Sequence, residues 1–314
     1  MEKLNKAAPP INHGYLAAFG STLFLSTTAI FVRYLTLNYQ IPPLVLTFWR
    51  EVFVALWLFL ILMVSRRHAL LRLELKHLPL LILYGLVVAF FNSSWSLSVV
   101  LNGAAAATVL GYSSSAFTAL LGWILLKESL DMPKIIAVVL SISGCALVAN
   151  AIDPAAWALN AGGIWAGALS GLSYALYSLM GRYSSQRGIN PWTSLFYSFA
   201  IAGLFMLAAN LKLGQVLPGG AERGSDMLWL GSAWMGWAVL AVLAMVPTLM
   251  GFGLYNVSLQ YLPSSVANLI MTSEPIFTAI IAYFMFGETF APIQMVGAGL
   301  ILAGVVLIRL TRKE

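Results

Sequence analysis

Charge is scarce in this chain. Of 314 residues only 9% are Asp, Glu, Lys or Arg, while 60% are hydrophobic. A soluble domain holds ~25% charged and ~45–50% apolar residues. No soluble fold can hide this much apolar surface, because its outside must face water, so a soluble class is excluded. Cysteine is scarcer still. Cys145 is the one thiol, set in an apolar segment, which rules out an intrachain disulfide and leaves no zinc-ligand spacing. The three histidines, His13, His68 and His77, all lie outside the apolar runs. A membrane-embedded enzyme would need a nucleophile–base set or metal ligands within them. No Walker A motif occurs, which argues against direct use of ATP, and no cofactor is expected. The opening MEKLNKAAPPINHG contains no short apolar stretch ending in a cleavage site, so the first span is expected to serve as the insertion signal. The net charge of +6 does not point to nucleic acid, because the basic residues sit in short loops between apolar runs, which is a topology signal.

What the chain does have is long apolar runs. A spanning helix needs ~20 mostly apolar residues. Ten candidates read as 14–35, 43–64, 79–100, 104–126, 133–150, 161–183, 192–213, 234–261, 264–286 and 291–310. Junctions fall at Pro42–Pro43, Asn102–Gly103, Pro133, Gly162–Gly163, Pro191, Pro263 and Pro292; proline at a helix start loses no hydrogen bond. Runs this long and uniformly apolar exclude a β-barrel and predict an all-α integral membrane protein. With both termini cytoplasmic, thirteen Lys and Arg residues fall on the inside and three (Arg33, Lys212, Arg223) outside, with Arg50 within a span. That asymmetry predicts a multi-pass protein of a plasma or inner membrane, with N- and C-termini inside and an even number of spans.

The two halves align. GYLAAFGSTLFLSTTAIFVRY from Gly14 matches GIWAGALSGLSYALYSLMGRY from Gly163, which puts Arg33 on Arg182 and Pro42 on Pro191. SSSAFTALLGWILLKESL from Ser113 matches SEPIFTAIIAYFMFGETF from Ser273, with Phe117-Thr118-Ala119 on Phe277-Thr278-Ala279, Glu128 on Glu288 and Gly144 on Gly304. The polar stretch 214–233 absorbs the difference in register. The expected organisation is therefore two repeats, 14–150 and 161–310, of five helices each. Five is odd, so the second repeat enters from the opposite face, and the site of such inverted repeats lies near the midplane where the halves meet.

With these residues in hand, the chain resembles the drug/metabolite transporter superfamily, and within it the EamA-type ten-helix members. The resemblance covers essentially the whole chain. It rests on the two five-helix units, on the Arg in TFWREVFVAL, and on TSEPIFTAIIAYFMFGET followed by MVGAGLILAGVVLI; in the first unit Ser115 replaces the proline. The resemblance implies alternating access around a central cavity without ATP, with amino acids and other metabolites among the solutes of such proteins.

Ionisable groups inside spans are the sharpest signal, since a charge at the bilayer centre costs at least ~2.5–3.5 kcal/mol and faces a cavity or a partner. Glu274 lies ten residues into its span, ~15 Å deep, and Pro275 next to it removes a helical hydrogen bond and can open the backbone. It is the candidate contact for an amino group and the candidate proton carrier. Arg50 lies ~10 Å into its span. The alternative is that Arg50 pairs with Glu274 or with Glu51 to fix helix packing. Glu51 points ~100° away from Arg50 and is expected to bridge to a neighbouring helix. The repeat sets Ser114 opposite Glu274, a hydroxyl against a carboxylate, which suits a ligand with unlike ends.

Asn92, Trp95, Tyr112, Tyr177, Phe252, Tyr255, Asn268 and Thr272 fall at similar depth and complete the candidate substrate-binding set. For the hydroxylated residues the competing role is bonding between closely packed helices. Glu128 and Glu288 each precede a helix start at Pro133 or Pro292 and read as structural. Gly297, Gly299, Ala303 and Gly304 suit either a homodimer seam or packing within a monomer. These observations predict a secondary transporter that exports amino acids or related amine or zwitterionic compounds. Its expected partners are a small-molecule substrate, the lipid bilayer and, as the coupling ion to be tested, protons. An importer or exchanger of a nucleoside, sugar or phosphate compound is the alternative, and a membrane-embedded enzyme or channel the less favoured one.

Overall fold

The computed structural model describes residues 11–148, 161–286 and 291–311. Among them there is no strand. Thirteen α-helices follow in order: α1 (Ile11–Leu25), α2 (Thr28–Tyr39), α3 (Pro43–Val64), α4 (Leu78–Tyr112), α5 (Ser114–Leu126), α6 (Met132–Val148), α7 (Ala161–Gln186), α8 (Pro191–Leu213), α9 (Trp234–Leu243), α10 (Gly251–Tyr261), α11 (Ser264–Met271), α12 (Glu274–Phe286) and α13 (Pro292–Thr311). A π-helical stretch, Ala244–Met250, joins α9 to α10. Six helical runs among the described residues are long and apolar enough to cross a membrane: Asn12–Tyr39, Pro43–Val64, Leu75–Val99, Pro191–Leu213, Trp234–Tyr261 and Pro292–Thr311. The protein is a multi-pass membrane protein. Lys3, Lys6, Glu288, Arg312 and Lys313 lie outside the described residues.

The junction expected at Asn102–Gly103 falls inside one assigned helix, α4, which is 35 residues long. The sequence explains this: Gly103 is followed by Ala-Ala-Ala-Ala, the residue with the highest helix propensity, and no proline intervenes. Yet α4 is not straight. Residues 95 and 111 of a straight helix stand ~24 Å apart, whereas a Cβ on Gly111 would sit 3.9 Å from Trp95 Cδ1. Likewise a Cβ on Gly167 of α7 would meet both Ser98 Oγ at 2.8 Å and Leu110 at 2.6 Å, residues that a straight helix would separate by ~18 Å. The chain therefore reverses between Ser98 and Leu110, and its two limbs lie side by side against α7.

Four spans are broken or widened inside the bundle, each for a local reason. At Pro247 the ring removes the N–H that would bond Leu243 O. The Thr248 hydroxyl takes that carbonyl instead, at 2.8 Å, and the turn widens to π geometry. Pro275 likewise frees the Met271 carbonyl between α11 and α12; close by, Thr272 Oγ1 donates to Leu269 O at 2.6 Å. The break between α4 and α5 has no proline. Here serines compete with the helix for its carbonyls: Ser113 Oγ donates to Leu110 O at 2.5 Å and Ser115 Oγ to Tyr112 O at 3.0 Å. Between α1 and α2, Ser26 and Thr27 donate to Leu23 O and Phe24 O, each at 2.7 Å. The breaks at Ser113 and Ser273 share one backbone pattern. Ser113 N bonds Leu110 O, and Ala116 N and Phe117 N bond Ser113 O; Ser273 N bonds Ile270 O, and Ile276 N and Phe277 N bond Ser273 O.

One structural expectation changes partner, and another meets one of its two alternatives. Glu128 does not cap the helix beginning near Pro133. Its carboxylate accepts from the backbone N–H and hydroxyl of Ser264 (2.7 and 2.8 Å) and of Ser265 (3.2 and 2.6 Å), so it caps α11, a helix from the other half. Helix N-termini carry unpaired N–H groups that favour such a carboxylate. Of the small residues of α13, Gly297 and Gly304 face inward while Gly299 and Ala303 are exposed: a Cβ on Gly297 would lie 2.7 Å from Gly144 O, and one on Gly304 2.8 Å from Ala137 O, so α13 packs backbone to backbone on α6. Gly299 has nothing within 4 Å of its Cβ position. Gly297→Val should therefore destabilise the protein by about 1–3 kcal/mol through overpacking. It should lower the unfolding temperature in detergent, whereas Gly299→Ala should leave it unchanged.

Candidate functional site

The expected site residues separate into three neighbouring groups. The first is a pair of charges on α3. Arg50 is 3% exposed and Glu51 fully buried. Neither partner proposed for Arg50 pairs with it: among the described residues the one ion pair is Lys76 with Glu74, at the surface. Arg50 Nε and Nη2 have no hydrogen-bond partner. Residues i and i+1 do not face each other on a helix, which is why Glu51 leaves Arg50 and reaches α4 instead. Asn92 Nδ2 donates to Glu51 Oε1 at 3.0 Å, the expected bridge between helices. Glu51 Oε2 has no partner. One turn toward the start of α3, Thr47 Oγ1 and Ser96 Oγ of α4 bond at 3.0 Å.

The second group is aromatic. Tyr177, Phe252 and Tyr255 are buried and in ring contact, with Tyr177–Tyr255 stacked at 6.0 Å and Tyr177–Phe252 edge-on at 5.4 Å. They belong to a larger cluster. Tyr174 stacks on Phe91 at 4.9 Å and on Tyr177 at 6.0 Å, Tyr84 lies 5.1 Å from Tyr177, and Phe199 lies 5.6 Å from Phe252. Sequence reading missed Tyr84, Phe91, Tyr174 and Phe199. Tyr174 carried a usable signal, since it stands three residues before Tyr177 and four after Ser170 on one face of α7.

The third group gathers at the two helix breaks. Glu274 is the first residue of α12 and is partly buried. The Tyr112 hydroxyl faces its carboxylate, with Cys145 and Tyr174 also close. Thr272 is buried beside it, and its carbonyl accepts from Cys145 Sγ at 3.6 Å. Ser114 does lie near the centre, but its hydroxyl donates to Asn268 Oδ1 at 3.2 Å. Asn268 Nδ2 in turn donates to Ser178 Oγ at 3.2 Å, and Tyr255 Oη donates to the same oxygen at 2.6 Å. Ser178 completes its valence by donating to Tyr174 O at 2.8 Å. One serine, not singled out from sequence, thus joins α7, α10 and α11. Ser114, Asn268 and Tyr255 are satisfied by protein partners in this conformation, which is the role of bonding between helices. Trp95 stands apart, half-buried against Gly111 in the other limb of α4.

The charged groups at the site are thus Arg50 with two unpartnered nitrogens, Glu51 with one unpartnered oxygen, and Glu274 beside the Tyr112 hydroxyl. No cluster of three or more metal-ligating side chains occurs among the described residues.

The model of the EamA-like transporter family matches this chain twice, over residues 12–150 and 161–310. The chain belongs to the EamA-like transporter family. An uncharacterized transporter of Archaeoglobus fulgidus is 29% identical over 184 residues, 59% of each chain. The threonine/homoserine exporter RhtA of Escherichia coli K12 is 28% identical over 197 residues, 61% of this chain and 52% of that one. The uncharacterized inner membrane transporter YicL of Salmonella typhimurium is 25% identical over 222 residues, 69% of this chain and 68% of the other. The match thus spans about half of the exporter's length. A solved crystal structure with 16% identity superimposes with a TM-score of 0.74, covering 97% of this chain and 100% of that one, which establishes the fold.

Ser178→Ala should cost about 2–4 kcal/mol, because it strands the buried Tyr255 hydroxyl and Asn268 amide rather than removing a bond cleanly. Ser178→Ala with Tyr255→Phe should recover part of that loss. Detergent unfolding curves of the two variants measure the difference.

Proposed function

We propose that this protein is a secondary transporter that moves small zwitterionic metabolites, amino acids or related amines, outward by alternating access and without ATP. Membership of a transporter family supplies the general activity. The single observation that carries the substrate class is the guanidinium of Arg50, buried with two of its nitrogens unpartnered in a span where an unpaired charge is costly. A ligand carboxylate would satisfy it. Glu274, facing only hydroxyl and thiol groups, offers the opposite charge to an ammonium group. The aromatic cluster between α4, α7 and α10 provides the apolar wall.

The architecture we read is ten spans in two inverted five-span repeats, 14–150 and 161–310, with both termini cytoplasmic. The reversal within α4 supports counting it with α5 as two spans. The double match of the family model and the shared backbone pattern at Ser113 and Ser273 support the repeat. The 13-to-3 bias of basic residues supports the orientation. RhtA, by its name an exporter of threonine and homoserine, supports amino acids as the first probes.

Purified protein should be stabilised by L-threonine or L-homoserine, by ~2.7 kcal/mol at a hundredfold excess over Kd. Arg50→Gln and Glu274→Gln should each lose that stabilisation while keeping a cooperative unfolding transition. Thermal-shift assays against an amino-acid panel read both. Stabilisation by nucleosides or sugar phosphates instead, unaffected by Glu274→Gln, would replace the zwitterion with that class. In proteoliposomes, accelerated exchange against internal solute is expected of a carrier and not of a channel.

A further inference from the structure

We propose that Glu51 is a proton-binding site linked to an anion subsite on Arg50, so that one proton and one ligand anion enter this part of the protein together. The inference rests on the reading of Arg50 as a ligand contact given above. It assigns a role to a carboxyl group that substrate binding does not use.

Glu51 is fully buried, and its two oxygens are treated differently. Oε1 is held by Asn92 Nδ2 at 3.0 Å, while Oε2 has no partner. An ionised carboxylate accepts hydrogen bonds on both oxygens, whereas a protonated one accepts on its carbonyl oxygen and carries its hydrogen, as a donor, on the other. The amide therefore fixes one edge of the group and leaves the other edge for a proton. Arg50 is the adjacent residue, 3% exposed, with Nε and Nη2 free and no ion pair to Glu51.

The elements packed on α3 bring no other charge to this place. Helix α9 and the π-helical stretch carry no titratable residue. On α4, Tyr84 bonds Asn256 and Tyr112 faces Glu274. On α8, Tyr197 bonds Leu71 O and Lys212 is exposed. His68, in the short 3-10 turn His68–Leu71, is exposed as well. The charged neighbour of Glu51 is Arg50.

Electroneutrality then links the two events. With Glu51 ionised and Arg50 charged, the pair sums to zero. Adding a carboxylate to Arg50 alone would leave a net negative charge in a buried site, which is expensive. A proton arriving from solvent on Glu51 Oε2 cancels it, so the occupied site is again neutral: a carboxylic acid, a guanidinium and a ligand anion. By linkage, the proton raises anion affinity and the anion raises proton affinity by the same factor. A proton on Glu274 acts in the opposite sense, because it competes with a ligand ammonium group for one carboxylate. The two buried glutamates thus give transport opposite pH dependences.

Lactate, a carboxylate without an amino group, isolates the Arg50 side. The test is its binding to the full-length protein in detergent, followed by thermal shift across pH and by the infrared carbonyl stretch of protonated carboxylic acid. In wild type, lactate affinity should fall by up to about tenfold per pH unit as pH rises through the titration of Glu51, and adding lactate at fixed pH should raise the carboxylic acid band. Glu51→Gln, an isosteric mimic of the protonated state, should bind lactate with a flat pH profile and no rise in the band. Arg50→Gln should bind none. A wild-type band that ignores lactate, or a rise that persists in Glu51→Gln, overturns the proposal. If lactate behaves as expected while amino acids fail to stabilise the protein, the linkage stands and the zwitterion reading falls; the reverse pair of results does the opposite.

Discussion

A backbone carbonyl freed inside a bilayer has no water to turn to, and in this protein serine and threonine hydroxyls take its place. That constraint organises the interior. Pro247 removes the donor for Leu243 O and Thr248 returns one, and at the break before Pro275 Thr272 binds Leu269 O. At Ser113 no proline is present, yet hydroxyls from Ser113 and Ser115 bind carbonyls of the last turn of α4 and the chain breaks there too. The spans can therefore be interrupted near their middles without exposing unsatisfied backbone to lipid. Interruption brings Glu274 to a helix start beside Tyr112 rather than leaving it along an unbroken cylinder.

The same hydroxyl chemistry explains which candidate residues remain free for a ligand. Ser114, Asn268 and Tyr255 converge as their spacing suggested, but they converge on one another through Ser178. Their polarity is spent on holding α5, α7, α10 and α11 together. Glu128, by closing on the N-terminus of α11, does the same at the edge of the bundle. Charged groups are among what is left over: Arg50 with two unpartnered nitrogens, Glu51 with one oxygen engaged, and Glu274 against a phenol. Buried polar groups are nearly always satisfied, which is why these charges carry the functional proposal.

Much of this was legible before any coordinates. The scarcity of charge, the apolar runs and the prolines at their starts located the helical segments, because a bilayer imposes a fixed length and a uniform polarity on whatever crosses it. The recurrence of Arg, Pro, Glu and Phe-Thr-Ala falls in the two segments that the family model matches separately. Less legible was how the chain turns at the Asn102–Gly103 junction, where it reverses between Ser98 and Leu110 within segments that are locally helical. Tyr84, Phe91 and Phe199 went unnoticed because, in a chain with 12% aromatic residues, one ring on an apolar helix carries no periodic signal of its own.

The sequence by itself determined that the chain is a helical membrane protein, where its long apolar helices run, and that Arg50 and Glu51 lie within one of them. Those properties depend on local composition, and a bilayer reads composition directly. Only the tertiary structure decided the partners: that Glu51 turns to Asn92 and away from Arg50, that Glu128 caps α11, that Ser178 gathers three helices, and that Gly297 faces Gly144 rather than lipid. A partner is fixed by which helix faces lie together and at what height. No single span specifies that, because on an all-apolar helix every face is equally able to be buried.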